Sequence, residues 1–299
     1  LKLETSGPDG ASFTVRFHGV RGSFPVPGAS VLHFGGNTSC IEVETDPFRI
    51  ALDCGTGIIG MGSRLADEGG AARLLLLLSH VHHDHTLGWP FFKPAYDRAA
   101  RLYVYGPARE GEVFGEIFQA AFADPYFPVD PTSLPSHREF ATLGHGEVIA
   151  WRDPEAAPEP LVGEAGDALV VRAFRNLNHP NGGVLNYRLE RGNRSLVLAT
   201  DIEGSSGESG DLAEFARGAD LLIHDAQYTD EEYPRITKGW GHSTWGMAVA
   251  TAERAGARRL VLYHHDPNHD DASVEAIERL ARDRFPRTIA ACEGLEIRF

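Results

Sequence analysis

Cysteine is scarce and odd in number: the 299 residues carry three, Cys40, Cys54 and Cys292, with no CxxC pair. That excludes a disulfide-stapled scaffold and a thiolate zinc knuckle, and it fits a reducing compartment, so the expected location is cytoplasmic. Long apolar runs are also missing, so no segment reads as a transmembrane helix. The first residues show no charged-then-apolar leader. Positive charge is in short supply. The 28 basic residues face 42 acidic ones, a formal net charge of -14. Such a surface repels phosphate backbones, which argues against a large nucleic-acid partner and for a small ligand, unless a homodimer presents a basic groove. No short-period repeat and no linker is visible, so residues 1–299 read as a single domain.

What is present is a series of short aliphatic and aromatic runs punctuated by turn residues. They predict strands over 13–19, 39–45, 48–53, 74–78, 102–105, 168–174, 184–190, 195–200, 220–223, 259–263, 288–292 and 295–299. Apolar spacing predicts helices over 58–65, 112–123, 211–217, 243–254 and 271–284. The proline-rich stretch 124–135, with Tyr126 and Phe127, reads as a surface insertion that covers a site, and 153–160 as a plain exposed loop. Strand runs followed by strand–helix alternation suit an α+β protein with two sheets face to face and helices outside them.

The most informative run is Ser79-His80-Val81-His82-His83-Asp84-His85, directly behind the aliphatic stretch 74–78. Imidazoles and a carboxylate crowded past a buried strand make poor core material. They make good ligands for a divalent metal, and the carboxyl end of a strand is where sites are usually built. His179 follows the strand 168–174, Asp201 directly follows 195–200, and His264 directly follows 259–263. Residues far apart in sequence but all past strand ends can converge on one edge of a sandwich. His265 competes with His264, which is preferred as nearer its strand. Asp53 reads as an acceptor that orients the histidine loop. His83 is expected to lie outside the ligand set, and His137, His145 and His269 at the surface.

His80-x-His82-x-Asp84-His85, preceded by Leu52-Asp53-Cys54-Gly55 and followed by His179, Asp201 and His264, resembles the motif set of the metallo-β-lactamase fold superfamily over nearly the whole chain. The resemblance implies an αββα four-layer sandwich with two divalent metal ions between the sheets. His80, His82 and His179 would hold one ion, Asp84, His85 and His264 the other, and Asp201 would bridge them. Zn is the first choice, with Mn or Fe as alternatives. Ile223-His224-Asp225-Ala226 and Gly241-His242-Ser243-Thr244 resemble paired motifs of the phosphodiesterase branch, which includes tRNase Z and small-phosphodiester hydrolases. By that likeness Asp225 orients His242, which protonates the leaving oxygen and joins Asp84 among the catalytic residues. The alternative is that His242 and Ser243 cap the following helix.

Gly19-Val20-Arg21-Gly22-Ser23 and Gly35-Gly36-Asn37-Thr38-Ser39 resemble cyclic-nucleotide phosphodiesterase-like members, with Arg21 either an anion contact or a turn residue. A basic, glycine-rich arm of the tRNase Z kind is not visible. The expected function is therefore a dinuclear phosphodiesterase acting on a small phosphodiester such as a cyclic nucleotide. The alternatives are a tRNase Z-like ribonuclease, a thioesterase or lactonase, and a metal-bound sensor without turnover.

Overall fold

Every residue of 74–78 is leucine, and the strand they build explains why. Leu75 and Leu77 face the space between two sheets, while Leu74, Leu76 and Leu78 pack under the outer helices. A strand covered on both faces needs a continuous apolar run rather than alternation. The stretch 196–199 behaves the same way: Leu196 and Leu198 enter the inter-sheet core, Val197 and Ala199 the outer layer.

The computed structural model describes residues 2–4, 11–180, 182–204 and 210–299, so much of the opening stretch, where no leader is expected, lies outside the described residues. The first half supplies β1 (Lys2–Glu4), β2 (Thr14–Gly19), β3 (Cys40–Thr45), β4 (Phe48–Leu52), β5 (Arg73–Leu77), β6 (Arg101–Gly106) and β7 (His137–Thr142). The second supplies β8 (Val148–Trp151), β9 (Glu159–Pro160), β10 (Leu169–Asn176), β11 (Val184–Arg191), β12 (Arg194–Ala199), β13 (Leu221–Asp225), β14 (Leu260–Tyr263) and β15 (Thr288–Ala290). A last strand, β16 (Glu296–Arg298), returns to the first half. Two eight-stranded sheets result, ordered β1-β16-β2-β3-β4-β5-β6-β7 and β15-β14-β13-β12-β11-β10-β8-β9.

Between β4 and β5 runs α1 (Gly57–Glu68); α2 (His83–Thr86) is a single turn after β5, and α3 (Phe114–Ala120) follows β6. Met61, Leu65, Phe114 and Phe118 pack α1 and α3 onto the first sheet. The second sheet is covered by α4 (Gly210–Phe215), α5 (Trp245–Ala255) and α6 (Asp271–Arg284), through Leu212, Val249, Ala252 and Ile277. The chain is thus an α+β, αββα four-layer sandwich. No helix among the described residues is long and apolar enough to cross a membrane.

Topology gathers the strand ends. β4, β5 and β6 run parallel, as do β12, β13 and β14. β10 and β12 are each antiparallel to β11, so β10 ends on the same edge as β12. The carboxyl ends of β4, β5, β10, β12, β13 and β14 lead into Asp53, His80, His179, Asp201, Asp225 and His264.

Sequence periodicity misses β1, β7, β8 and β9. β7 (His-Arg-Glu-Phe-Ala-Thr) is an edge strand with half-buried or exposed side chains, where polar residues guard an open ladder. β9 falls inside the stretch read as a plain loop. α3 is shorter than the predicted 112–123, because Val113 is already extended.

Glu42, on β3, has no solvent access at all. It is held by His18 at 2.9 Å, Arg49 at 3.4 Å, Arg16 at 3.8 Å, and by Arg64. Burial alone would raise its pKa, but the His18 hydrogen bond and the Arg64 and Arg49 charges hold it below the usual carboxylate value. A folded value below the unfolded one, which is about 4.3, means stability present at neutral pH and lost as pH falls through the folded value. Glu42→Ala strands a group of guanidinium ions and is expected to cost about 3 kcal/mol. A urea melt should show this as a lower midpoint with an unchanged slope.

Candidate metal centre

Among the described residues, four that are not glycine have left-handed backbone: Ser23 at φ 62°, Asp53 at 62°, Asp201 at 52° and His264 at 62°. All four lie at the convergent edge. The conformation costs roughly 1 kcal/mol or more per residue and persists only where the surroundings enforce it. Here it turns Asp53, Asp201 and His264 sharply off their strands.

The side chains form two adjoining groups. His80, His82 and His179 bring their ligand atoms within 4.8 Å of one another, and so do Asp84, His85, Asp201 and His264. Asp201 lies between them. Its Oδ1 is 3.8 Å from His80 Nε2 and 3.8 Å from His179 Nε2, while its Oδ2 is 3.1 Å from His85 Nε2 and 3.4 Å from His264 Nε2. Asp84 Oδ2 is 3.3 Å from His85 Nε2 and 3.2 Å from His264 Nε2. His83 is exposed and outside both groups.

These residues fit metal ions. Ring nitrogens face each other at 3.2 Å in His85–His264 and His82–His179, and His80 Nε2 is buried with no hydrogen-bond partner. Lone pairs converging without donors are what a cation satisfies. Burial holds the His80, His82 and His179 imidazoles below their ordinary pKa, in the neutral form that binds metal. Burial opposes charge on His85 too, yet Asp201, Asp84 and Asp53 hold it well above its ordinary value. That concentration of buried carboxylate is suited to neutralisation by divalent cations. A Cβ on Gly22 would collide with the His264 ring, so this ring position depends on the glycine.

Neighbours fix three of the imidazoles. Asp53 accepts from His85 Nδ1 at 2.8 Å, Ser79 N at 2.7 Å and Ser79 Oγ at 3.0 Å. Gln227 Oε1 accepts from His264 Nδ1 at 3.0 Å, and the Gly241 carbonyl from His179 Nδ1 at 3.1 Å. Donation from Nδ1 leaves each Nε2 lone pair for the metal. Asp53→Asn tolerates the left-handed backbone and is expected to lower metal affinity about 10–100-fold. Chelator competition on the folded variant measures this.

His242, 8% exposed, lies beside the second group. Its Nδ1 is 2.8 Å from Asp225 Oδ2, and its ring stacks on His264 with centroids 5.1 Å apart. Burial disfavours its charge, but Asp225 and Asp201 outweigh that and push the imidazole up to about 9. Asp225 Oδ1 also accepts from the Ser243 and Gln227 amides, each at 3.1 Å. His242 comes within ligand reach of His179 and Asp201 as well. A ring held protonated by a carboxylate is a poor ligand and a good acid, and we assign it the second role below. It does not cap α5: Thr244 does, accepting from Met247 N at 3.2 Å.

Two expectations fail here. Arg21 is not a surface turn residue; it is fully buried and donates Nε and Nη1 to the carbonyls of Gly35, Asp266 and His269, while its Nη2 is buried without a partner. His269 is 8% exposed, not a surface residue, and pairs with Glu232 at 3.0 Å. Phe127 packs edge-on against Phe91, centroids 5.6 Å apart, so that ring is engaged with protein while Tyr126 is 79% exposed. His265 points away from the centre, its Nε2 on the Ala291 carbonyl at 2.9 Å.

Sequence reasoning also overlooks Gln227 and Glu203. The Glu203 carboxylate accepts from the Gly239 and Gly241 amides at 2.7 and 3.0 Å, and its carbonyl accepts from Asn178 Nδ2 at 3.1 Å. It therefore fixes the loops on both sides of His179. Position two residues past Asp225 and Asp201, respectively, is the only sequence signal for either residue.

Residues 48–265 match the family described as beta-lactamase superfamily domain. A ribonuclease Z of Gemmatimonas aurantiaca is 28% identical, covering 95% of each chain, and one of Natronomonas pharaonis is 27% identical over 92% of this chain and 93% of its own. Among solved structures, the metallo-beta-lactamase fold protein YhfI of Bacillus subtilis superimposes with TM-score 0.69 at 19% identity, covering 97% of this chain and 100% of its own. The short form of human tRNase Z gives 0.64 at 21% identity, covering 95% and 98%. These relatives overturn the expectation that a large nucleic acid is an unlikely partner. Net charge is a sum over the whole surface and does not describe the field at a metal-lined edge. Fold, clustered ligands and the family match together make the chain a metal-dependent hydrolase, and it belongs to the metallo-β-lactamase fold superfamily.

Proposed function

We propose that the protein is a dinuclear phosphodiesterase that cleaves RNA, with precursor tRNA as its substrate class. The observation that carries this reading is Asp201 lying between two His/Asp groups, beside the His242–Asp225 pair. The full-length similarity to ribonuclease Z favours RNA over the small cyclic nucleotide first expected. In this reading residues 1–299 act as one domain in the cytoplasm, where the three thiols stay reduced.

His80, His82 and His179 would hold one ion, Asp84, His85 and His264 the other, and Asp201 both, with zinc as the first choice. Bound ions would supply Lewis acidity toward a phosphoryl oxygen and a lowered pKa for water. Asp53, Gln227 and the Gly241 carbonyl keep the imidazoles aimed. Ser23 N donates to Asp84 Oδ2 at 2.7 Å and fixes that carboxylate. His242 carries a proton on Nε2 and gives it to the departing ribose oxygen, while Asp225 keeps the ring oriented on Nδ1.

The test is a cleavage assay with precursor tRNA, a 3′,5′-cyclic nucleotide and bis(p-nitrophenyl) phosphate. Cleavage of the RNA at a single position, abolished by chelator and restored by Zn or Mn, is expected. Hydrolysis of the cyclic nucleotide with no RNA cleavage would return the function to a small phosphodiester.

A further inference from the structure

Beside His80 and His82 opens a cavity of about 240 Å³. It is smaller than the roughly 300–1,000 Å³ that encloses a drug-sized ligand, so it suits one unit of a larger substrate. Its walls are apolar, from Val81, Pro107, Ile117 and Pro180, and two arginines reach it, Arg109 and Arg175. In a chain of net charge -14, two guanidinium groups beside a candidate metal group are a local reversal of sign.

Each arginine is placed by specific contacts. Arg175, near the end of β10, donates Nη2 to the Ala108 carbonyl at 3.0 Å, its one guanidinium hydrogen bond among the described residues. Arg109 is largely exposed and pairs with Glu112 at 3.2 Å, which leaves Arg175 the more fully available charge. Gly182, at φ 106°, lies under the Arg109 stem: a Cβ there would sit 3.3 Å from Arg109 Cγ. The missing side chain keeps this mouth open between the 107–109 loop and the turn that bears His179.

We propose that this cavity is the subsite for the nucleotide that adjoins the scissile phosphate. The base lies against Ile117, Pro107 and Pro180, and its flanking phosphate meets Arg175 and Arg109. Glu112, on the same rim, accepts from a ribose hydroxyl or an exocyclic amine. Unpaired nucleotides are bound with little sequence preference where cations track the phosphate and a flat side-chain face takes any base; here the face is aliphatic and proline rather than aromatic. The inference rests on the RNA-cleaving reading above and extends it to the recognition of an unstacked nucleotide.

Calorimetric titration of the metal-loaded protein with adenosine 5′-monophosphate and, separately, inorganic phosphate tests it. The nucleotide should bind about tenfold or more tighter than phosphate, since base contacts add to the shared anion contact. Ile117→Trp, which fills the slot, should remove most of that difference. Arg109→Ala, at an exposed position where folding is not at stake, should weaken the nucleotide about 3–10-fold. Equal affinity for nucleotide and phosphate in the wild-type protein, or unchanged nucleotide affinity in both variants, overturns the subsite. Either result from a protein that cleaves RNA leaves the proposed function standing; absence of RNA cleavage overturns that function instead.

Discussion

Asp201→Asn is expected to lower turnover of any phosphodiester on the order of 10³-fold or more, and to drop the metal content below two ions per chain. The argument is geometric. One Asp201 oxygen faces His80 and His179 at 3.8 Å, and the other faces His85 and His264 at 3.1 and 3.4 Å. No other carboxylate lies between the two groups among the described residues. Asparagine keeps the shape and accepts the left-handed φ of 52°, so the fold should survive. What disappears is the charge that lets two cations sit close together. Loss of several kcal/mol of transition-state stabilisation corresponds to the stated factor, because each 1.4 kcal/mol is tenfold. Turnover and elemental analysis on the same preparation read both halves. Unchanged activity with full metal content would remove Asp201 from the centre of the account.

His242→Ala is expected to act differently. It should retain both ions, because Asp225 rather than metal holds the ring at 2.8 Å, and should lose about 10²–10⁴ in kcat on RNA. On bis(p-nitrophenyl) phosphate the loss should be much smaller, since p-nitrophenolate departs without a proton. The contrast separates an acid from a merely structural ring, whose removal would depress both substrates alike. Asp225→Asn should follow the same pattern more weakly, as the ring loses its orienting charge. Loss of metal from His242→Ala would instead make this ring a ligand, a role its distance to Asp201 and His179 allows.

The layers of the sandwich are legible in the chain where a long aliphatic strand is covered on both faces, though the short interior strand β8 is missed all the same. The leucine run of β5 and the aliphatic run of β12 announce themselves because each side of the strand needs apolar contact. Edge strands do not: β7 and β9 carry exposed polar side chains, so their sequences look like loops. The candidate ligands stand out for the opposite reason, as polar residues crowded just past buried strands. Their supports stay hidden. Gln227 orients His264 and Glu203 pins the Gly241 loop only through contacts over tens of residues, 37 and 38 positions apart. Arg21 shows the reverse error. Its motif left open an anion contact or a surface turn, yet the side chain is buried and gives Nε and Nη1 to three backbone carbonyls. Substrate size is the least legible property, because total charge carries no information about one edge of the molecule.

The most direct measurement is an anomalous difference map collected at the metal edge from crystals grown with zinc. It should contain two peaks roughly 3.5–4 Å apart. One should touch His80, His82 and His179, the other Asp84, His85 and His264, and Asp201 should touch both. A single peak, or two peaks with Asp201 outside bonding distance of either, would contradict the shared-carboxylate centre on which every step here depends.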